Sequence, residues 1–190
     1  MAKYSRKQDN ISKRYKFILV CEGRITEVQY FRYLQDLNPN IYLDIYFPKA
    51  SSPKYLLNKM KEVLKGKRTD KDFEAWIVMD RDEWNAKDIA DIEKWASEKN
   101  HGLALSIPKF EYWLLLHYED GCGLSCNDCK SHLDKYLKSK HIPQNLVIKE
   151  KIETAIINAR KRDKGLNKNI CKNGLPYTNV FILVEKILNV

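Results

Sequence analysis

Carboxylates recur at three places in the first 111 residues, and each place lies close behind a short apolar run. Glu22 follows Phe17-Ile18-Leu19-Val20-Cys21, the group Asp80-Arg81-Asp82-Glu83 follows Trp76-Ile77-Val78-Met79, and Glu111 comes a few residues after Ile107. Oxygen donors without a convincing His or Cys partner are hard ligands. They suit Mg²⁺ or Mn²⁺, ions that act on phosphoryl groups by polarising oxygen and acidifying water. The Asp80-x-Asp82 spacing adds to this, because alternate residues at the end of a strand point the same way and can share one ion. The competing reading of each group is a solvated acidic loop.

These acids matter only if the chain brings them together, and the surrounding pattern predicts that it does. Residues 17–21, 41–47, 73–79 and 102–107 are short apolar runs suited to strands buried on both faces. Between them lie segments with helical spacing: 26–37, where Val28, Phe31, Leu34 and Leu37 fall on related turns, then 54–65, 86–99 and 110–118. Ser51-Ser52-Pro53 predicts an N-cap followed by proline in the first turn of the second helix. Alternation of this kind implies parallel pairing through right-handed crossovers, so residues 17–120 form an open α/β sheet. Residues 121–190 are expected to be a helical extension on the same domain, with helices at 128–138, 146–161 and 176–188 and a linker-like stretch at 164–175. In an open parallel sheet, ligands bind at the carboxyl ends of the strands. Three acidic groups on that one rim repel each other unless a cation compensates them.

The 190 residues, 44% hydrophobic and 11% aromatic, suffice for one core and not for two. The basic first residues lack the apolar segment of a secretory signal, and no apolar run approaches a membrane span, so a cytoplasmic protein without membrane contact is expected. The net charge of +9 is concentrated in two flanks, residues 1–16 and 149–172, each carrying +5, while the remainder sums to −1. Such flanks suit a polyanion such as DNA or RNA, although a solvated tail and a charged helix account for them equally well. Five cysteines, an odd number without an export signal, argue against a disulfide framework. Cys126-x-x-Cys129, with Cys122, His117 and His132 nearby, has ligand-like spacing for zinc, but Cys171 is distant and a second pair is missing.

Four segments resemble the RloB-like proteins, a family with TOPRIM domains. Ile18 to Phe31 contains Glu22-Gly23-Arg24-Ile25-Thr26-Glu27 and Tyr30-Phe31, similar to the motif EGxTExxYF. Asp80-Arg81-Asp82 is similar to the second TOPRIM motif, DxD. Ser106-Ile107-Pro108-Lys109-Phe110-Glu111 with Trp113 and His117 resembles SxPxFExWLLxH, and Pro176-Tyr177-Thr178-Asn179-Val180 resembles the closing motif. The resemblance implies a TOPRIM-like fold and a nuclease of anti-phage, abortive-infection defence, often encoded beside an ATPase partner. It implies Glu22 as metal ligand or general base, Asp80 and Asp82 as Mg²⁺ anchors, Glu111 as the residue completing a second site, and Lys109 facing the scissile phosphate. Arg24, Ser106 and His117 become substrate-binding candidates; for His117 a hydrogen-bonded structural role stands beside that one. Glu27, in the first helical turn, is assigned to capping with Thr26 ahead of metal binding. A non-catalytic nucleic-acid-binding or regulatory subunit of an ATPase complex is the alternative. An enzyme of primase or topoisomerase type ranks last, for want of the further domains those enzymes use.

Overall fold

The computed structural model describes residues 14–67, 73–81, 86–139, 141–163 and 174–190. Asp82, Glu83, Cys171, the basic tail up to residue 13 and residues 164–173 lie outside these. Strands β1 (Tyr15–Cys21), β2 (Ile41–Tyr46), β3 (Phe73–Asp80) and β4 (His101–Ile107) run parallel. A two-residue β5 (Tyr177–Thr178) joins antiparallel to β4, giving the order β2-β1-β3-β4-β5. The expected open, mainly parallel α/β sheet flanked by helices is therefore present.

Strand alternation divides the core in two. Phe17, Leu19, Cys21, Trp76 and Val78 face the layer of α1 (Thr26–Leu37), α4 (Glu111–Leu115), α5 (Asp128–Leu133), α6 (Lys149–Asp163) and α7 (Val180–Leu188). Ile18, Val20, Ala75, Ile77 and Met79 face α2 (Pro53–Lys65) and α3 (Ala86–Ala96). Burial on both faces is why β1 and β3 are continuous apolar runs. At the start of α2 the expected cap is present: the Ser52 hydroxyl accepts from the Tyr55 N–H at 3.4 Å, with Pro53 at the first helical position.

The C-terminal part is less helical than its sequence suggests. Residues 176–179 form β5 and its exit, not the first turn of a helix. The Thr178 hydroxyl bonds that of Ser106 at 3.1 Å, and Asn179 completes the edge of β4. Its Oδ1 accepts from the Leu105 N–H at 2.6 Å, and its Nδ2 donates to the Leu103 carbonyl at 3.0 Å. Satisfying β4 in this way outweighs one more helical turn. Helices α4 and α5 are also shorter than expected, and a 3₁₀ turn at Gln144–Leu146 precedes α6. On the opposite margin, the Leu43 N–H of β2 donates to Gln35 Oε1 at 2.7 Å, and Arg32 of α1 donates to the Leu43 carbonyl at 3.0 Å.

Candidate functional site

Connections leave β1 in one direction, through α1 to β2, and return past it through α2 to β3. The crevice between the carboxyl ends of β1 and β3 is thus a topological switch point, where open α/β sheets bind their ligands. Two of the anticipated acids meet there. The Glu22 N–H extends the ladder to the Val78 carbonyl at 3.0 Å, and Glu22 Oε2 accepts from the Asp80 N–H at 3.1 Å. Asp80 Oδ1 in turn accepts from the Phe110 N–H at 2.8 Å, which fixes the segment after β4 and with it Glu111 at the head of α4.

A fourth acid joins them that the sequence pattern had assigned to a different role. Glu27 is buried, 6% exposed, and its Oε1 accepts from the Gly23 N–H at 3.1 Å. The N-cap residue of α1, Ile25, makes no side-chain cap bond; the Glu27 carboxylate takes the N–H of its own residue in the first helical turn, as a capping acid does, and is also folded back on the Glu22-Gly23 turn. Glycine leaves room for that carboxylate, because a Cβ on residue 23 would stand 1.9 Å from a Glu27 carboxylate oxygen unless the Glu27 side chain moved. The signal for Glu27 lay in the sequence: an acid five residues after Glu22, across a glycine, on the first turn of the helix that leaves the same strand.

The four carboxylates share one field. Burial pushes the Asp80 carboxyl up to about 9, and the charges of Glu27, Glu22 and Glu111 add to the effect. Glu27 is pushed up to about 7, first by burial and then by Glu111 and Glu22, against the pull of its own N–H and that of Gly23. Like charges held on one partly buried rim are costly when ionised, and a divalent cation would remove that cost. The donor set fits Mg²⁺ or Mn²⁺ in its chemistry, being carboxylate oxygen throughout. As they stand, no three Asp, Glu, His or Cys side chains among the described residues are grouped to hold a metal ion, and oxygens of Glu22, Glu27 and Asp80 are turned onto backbone N–H groups.

Lys109 is exposed between β4 and α4, and it lines a cleft of about 970 Å³ together with Glu111. Arg24, exposed on the β1–α1 turn, donates to the Pro48 carbonyl at 3.2 Å and so ties that turn to the one after β2. The other two substrate candidates are placed differently. Ser106 is 1% exposed and engaged with Thr178 inside the β4–β5 pair. His117, 4% exposed, bonds the Trp113 carbonyl through Nδ1 at 3.0 Å and the Tyr30 hydroxyl through Nε2 at 3.2 Å. Burial pulls its pKa down to about 4, so it is a neutral core histidine, the structural role of the two considered. The cysteine cluster forms no metal group among the described residues: Cys129 bonds the Ser125 carbonyl at 3.4 Å, Cys122 is exposed, and His132 pairs with Glu119 at 2.7 Å.

An open, mainly parallel sheet with acids gathered at its switch point defines a class of α/β proteins whose ligand site lies at the strand ends. Within it, the family model described as RloB-like protein matches residues 17–187, and the chain belongs to the RloB-like family. Neither the curated proteins nor the solved structures contain a match to it. Among the described residues, no helix is long and apolar enough to cross a membrane.

Proposed function

We propose that this protein is a metal-dependent nuclease that hydrolyses phosphodiester bonds in DNA or RNA. The observation carrying the reading is the convergence of Glu22, Glu27, Asp80 and Glu111 on one rim, where the charges of Glu22 and Glu111 add to the burial that raises Glu27 and Asp80. Mg²⁺ or Mn²⁺ bound there would supply a Lewis acid for the phosphoryl oxygens. Glu22, Asp80 and Glu111 would hold it, joined by Asp82, which lies outside the described residues. The chain's own groups have separate tasks. Asp80, fixed by the Phe110 N–H, keeps β3 and the α4 head in register, and Glu27 holds the turn that carries Glu22. Glu22, as a carboxylate, would take a proton from water, and Lys109 would offset the negative charge that builds up on the phosphate. Resemblance to RloB-like proteins adds the setting: anti-phage defence, with restraint by an ATPase partner.

The test is cleavage of labelled DNA and RNA pools with Mg²⁺, Mn²⁺ or EDTA, comparing the native chain with Asp80→Ala. Metal-dependent products that vanish in the variant support the enzyme and name its substrate. One observation favours a second reading, a non-catalytic subunit: no described trio of acids is grouped around an ion position. Absence of products even with the ATPase added would establish that reading instead.

A further inference from the structure

Beside the carboxylate rim lies the cleft of about 970 Å³, running from Pro108, Lys109 and Glu111 along α4 to α5 and Ser139. Its floor is apolar, formed by Tyr112, Leu114 and Leu133, while Lys109, Lys130 and Lys138 stand exposed around it. Glu111 and Asp134 are the acids in this lining, and Glu111 belongs to the rim itself. An apolar floor under a ring of cations is complementary to an apolar ring carrying an anionic backbone. We propose that this cleft receives unpaired nucleotides next to the scissile phosphate, so that the site acts on single-stranded or locally opened nucleic acid and not on an intact duplex. The inference rests on the nuclease reading for its direction, since Lys109 and Glu111 make the cleft continuous with the acidic site.

Size supports the same occupant. The volume lies at the upper end of the ~300–1,000 Å³ typical of small-molecule sites, room for extruded bases and their phosphates but not for a double helix. Proteins that track single strands combine a cationic groove with apolar or aromatic surface for the bases, because every base has a face to pack and no sequence need be read. Enzymes that act on a nucleotide within a duplex must first take it out of the stack.

Binding without metal separates this inference from cleavage. The full chain in EDTA is titrated into fluorescein-labelled short single strands of DNA and of RNA, and into the same sequence as a blunt duplex, with anisotropy as the readout. Two variants probe the cleft. Lys130→Glu with Lys138→Glu reverses exposed charges, and Asn127→Trp fills the mouth from an exposed position whose side chain caps nothing. The native chain should prefer single strands, and each variant should weaken that binding about tenfold with an unchanged melting temperature. The charge-reversal variant should also lower the salt slope by about 1.4, two single-strand phosphate contacts at about 0.7 each. Equal affinity for the duplex, or native binding by both variants, overturns the proposal. Loss in the charge-reversal variant alone marks a surface phosphate patch and overturns the cleft assignment too. The DNA and RNA arms identify the sugar. Tight single-strand binding without cleavage at any metal concentration would sink the nuclease reading and leave this one standing.

Discussion

Replacing Asp80 by asparagine should stabilise the metal-free protein while removing its response to Mg²⁺. Asparagine keeps the oxygen that accepts from the Phe110 N–H and removes the charge that burial, Glu27, Glu22 and Glu111 all oppose. A carboxyl raised from 3.8 to about 9 binds its proton more tightly folded than unfolded. Its favourable contribution is full below about pH 4 and is lost as pH rises toward 9, so the native chain in EDTA weakens across that window. pH 7 lies about 3 units above the unfolded value of the group, which at about 1.36 kcal/mol per unit bounds the cost near 4 kcal/mol. Solvent at the partly exposed rim and sharing of charge among four acids bring this to about 2 kcal/mol. For a chain of this length that corresponds to a melting temperature about 4–8 °C higher for Asp80→Asn at pH 7–8. The assay is thermal unfolding in EDTA from pH 4 to 8, repeated with Mg²⁺. The difference between the two chains should be near zero at pH 4 and should grow with pH, and Mg²⁺ should raise only the native curve. A variant less stable than the native chain at pH 8 in EDTA would refute the shared-field argument.

Gly23→Ala should spare stability, because the far end of a flexible side chain can move. It should still cut cleavage strongly, since the new Cβ displaces the Glu27 carboxylate; native turnover would show that Glu27 has no part in the site. Glu27→Gln keeps an acceptor for the Gly23 N–H but loses the charge, so Mg²⁺ affinity in a calorimetric titration should fall, and unchanged affinity would show that the Glu27 charge does not act on the ion. His117, held near pKa 4 in the fold against 6.5 for the free group, should stabilise fully above pH 6.5 and lose up to about 3 kcal/mol as pH falls to 4. His117→Leu, which leaves the Tyr30 hydroxyl unpaired, should cost about 1–3 kcal/mol at pH 7 in denaturant unfolding, with the deficit shrinking toward pH 4. Asn179→Ala should cost about 2 kcal/mol by stripping the Leu105 N–H and Leu103 carbonyl of their partners, and a loss within a few tenths would show that water replaces the amide.

The sheet was legible because burial on both faces leaves a direct mark: Phe17 to Cys21 and Trp76 to Met79 could be little else than central strands, and Ser52-Pro53 announced α2. The pair Tyr177–Thr178 was not legible. Its conformation is set by β4, more than 70 residues away in sequence, through Ser106 and Asn179. The site was half visible. Glu22, Asp80 and Glu111 each stand near the end of a recognisable strand, so topology alone gathers them. Glu27 belongs to a helix, where an acid in the first turn has an ordinary explanation, and only its burial beside Gly23 joins it to the other acids. Ser106 and His117 show what a motif leaves open. Polar residues inside a motif invite a substrate role, yet both satisfy buried partners, Thr178 for one and Tyr30 with Trp113 for the other.

Part of each side of the sheet is covered by side chains borrowed from helices or their caps: Arg32 and Gln35 on Leu43 of the edge strand β2, and Asn179 on Leu103 and Leu105, the stretch of β4 that the two-residue β5 leaves unpaired. A strand from another molecule would have to evict these groups before it could add itself, so fibril-like growth by edge pairing is discouraged at each end. Recognition by strand addition is discouraged with it. At those stretches a binding molecule would have to engage helices, loops or the cleft instead.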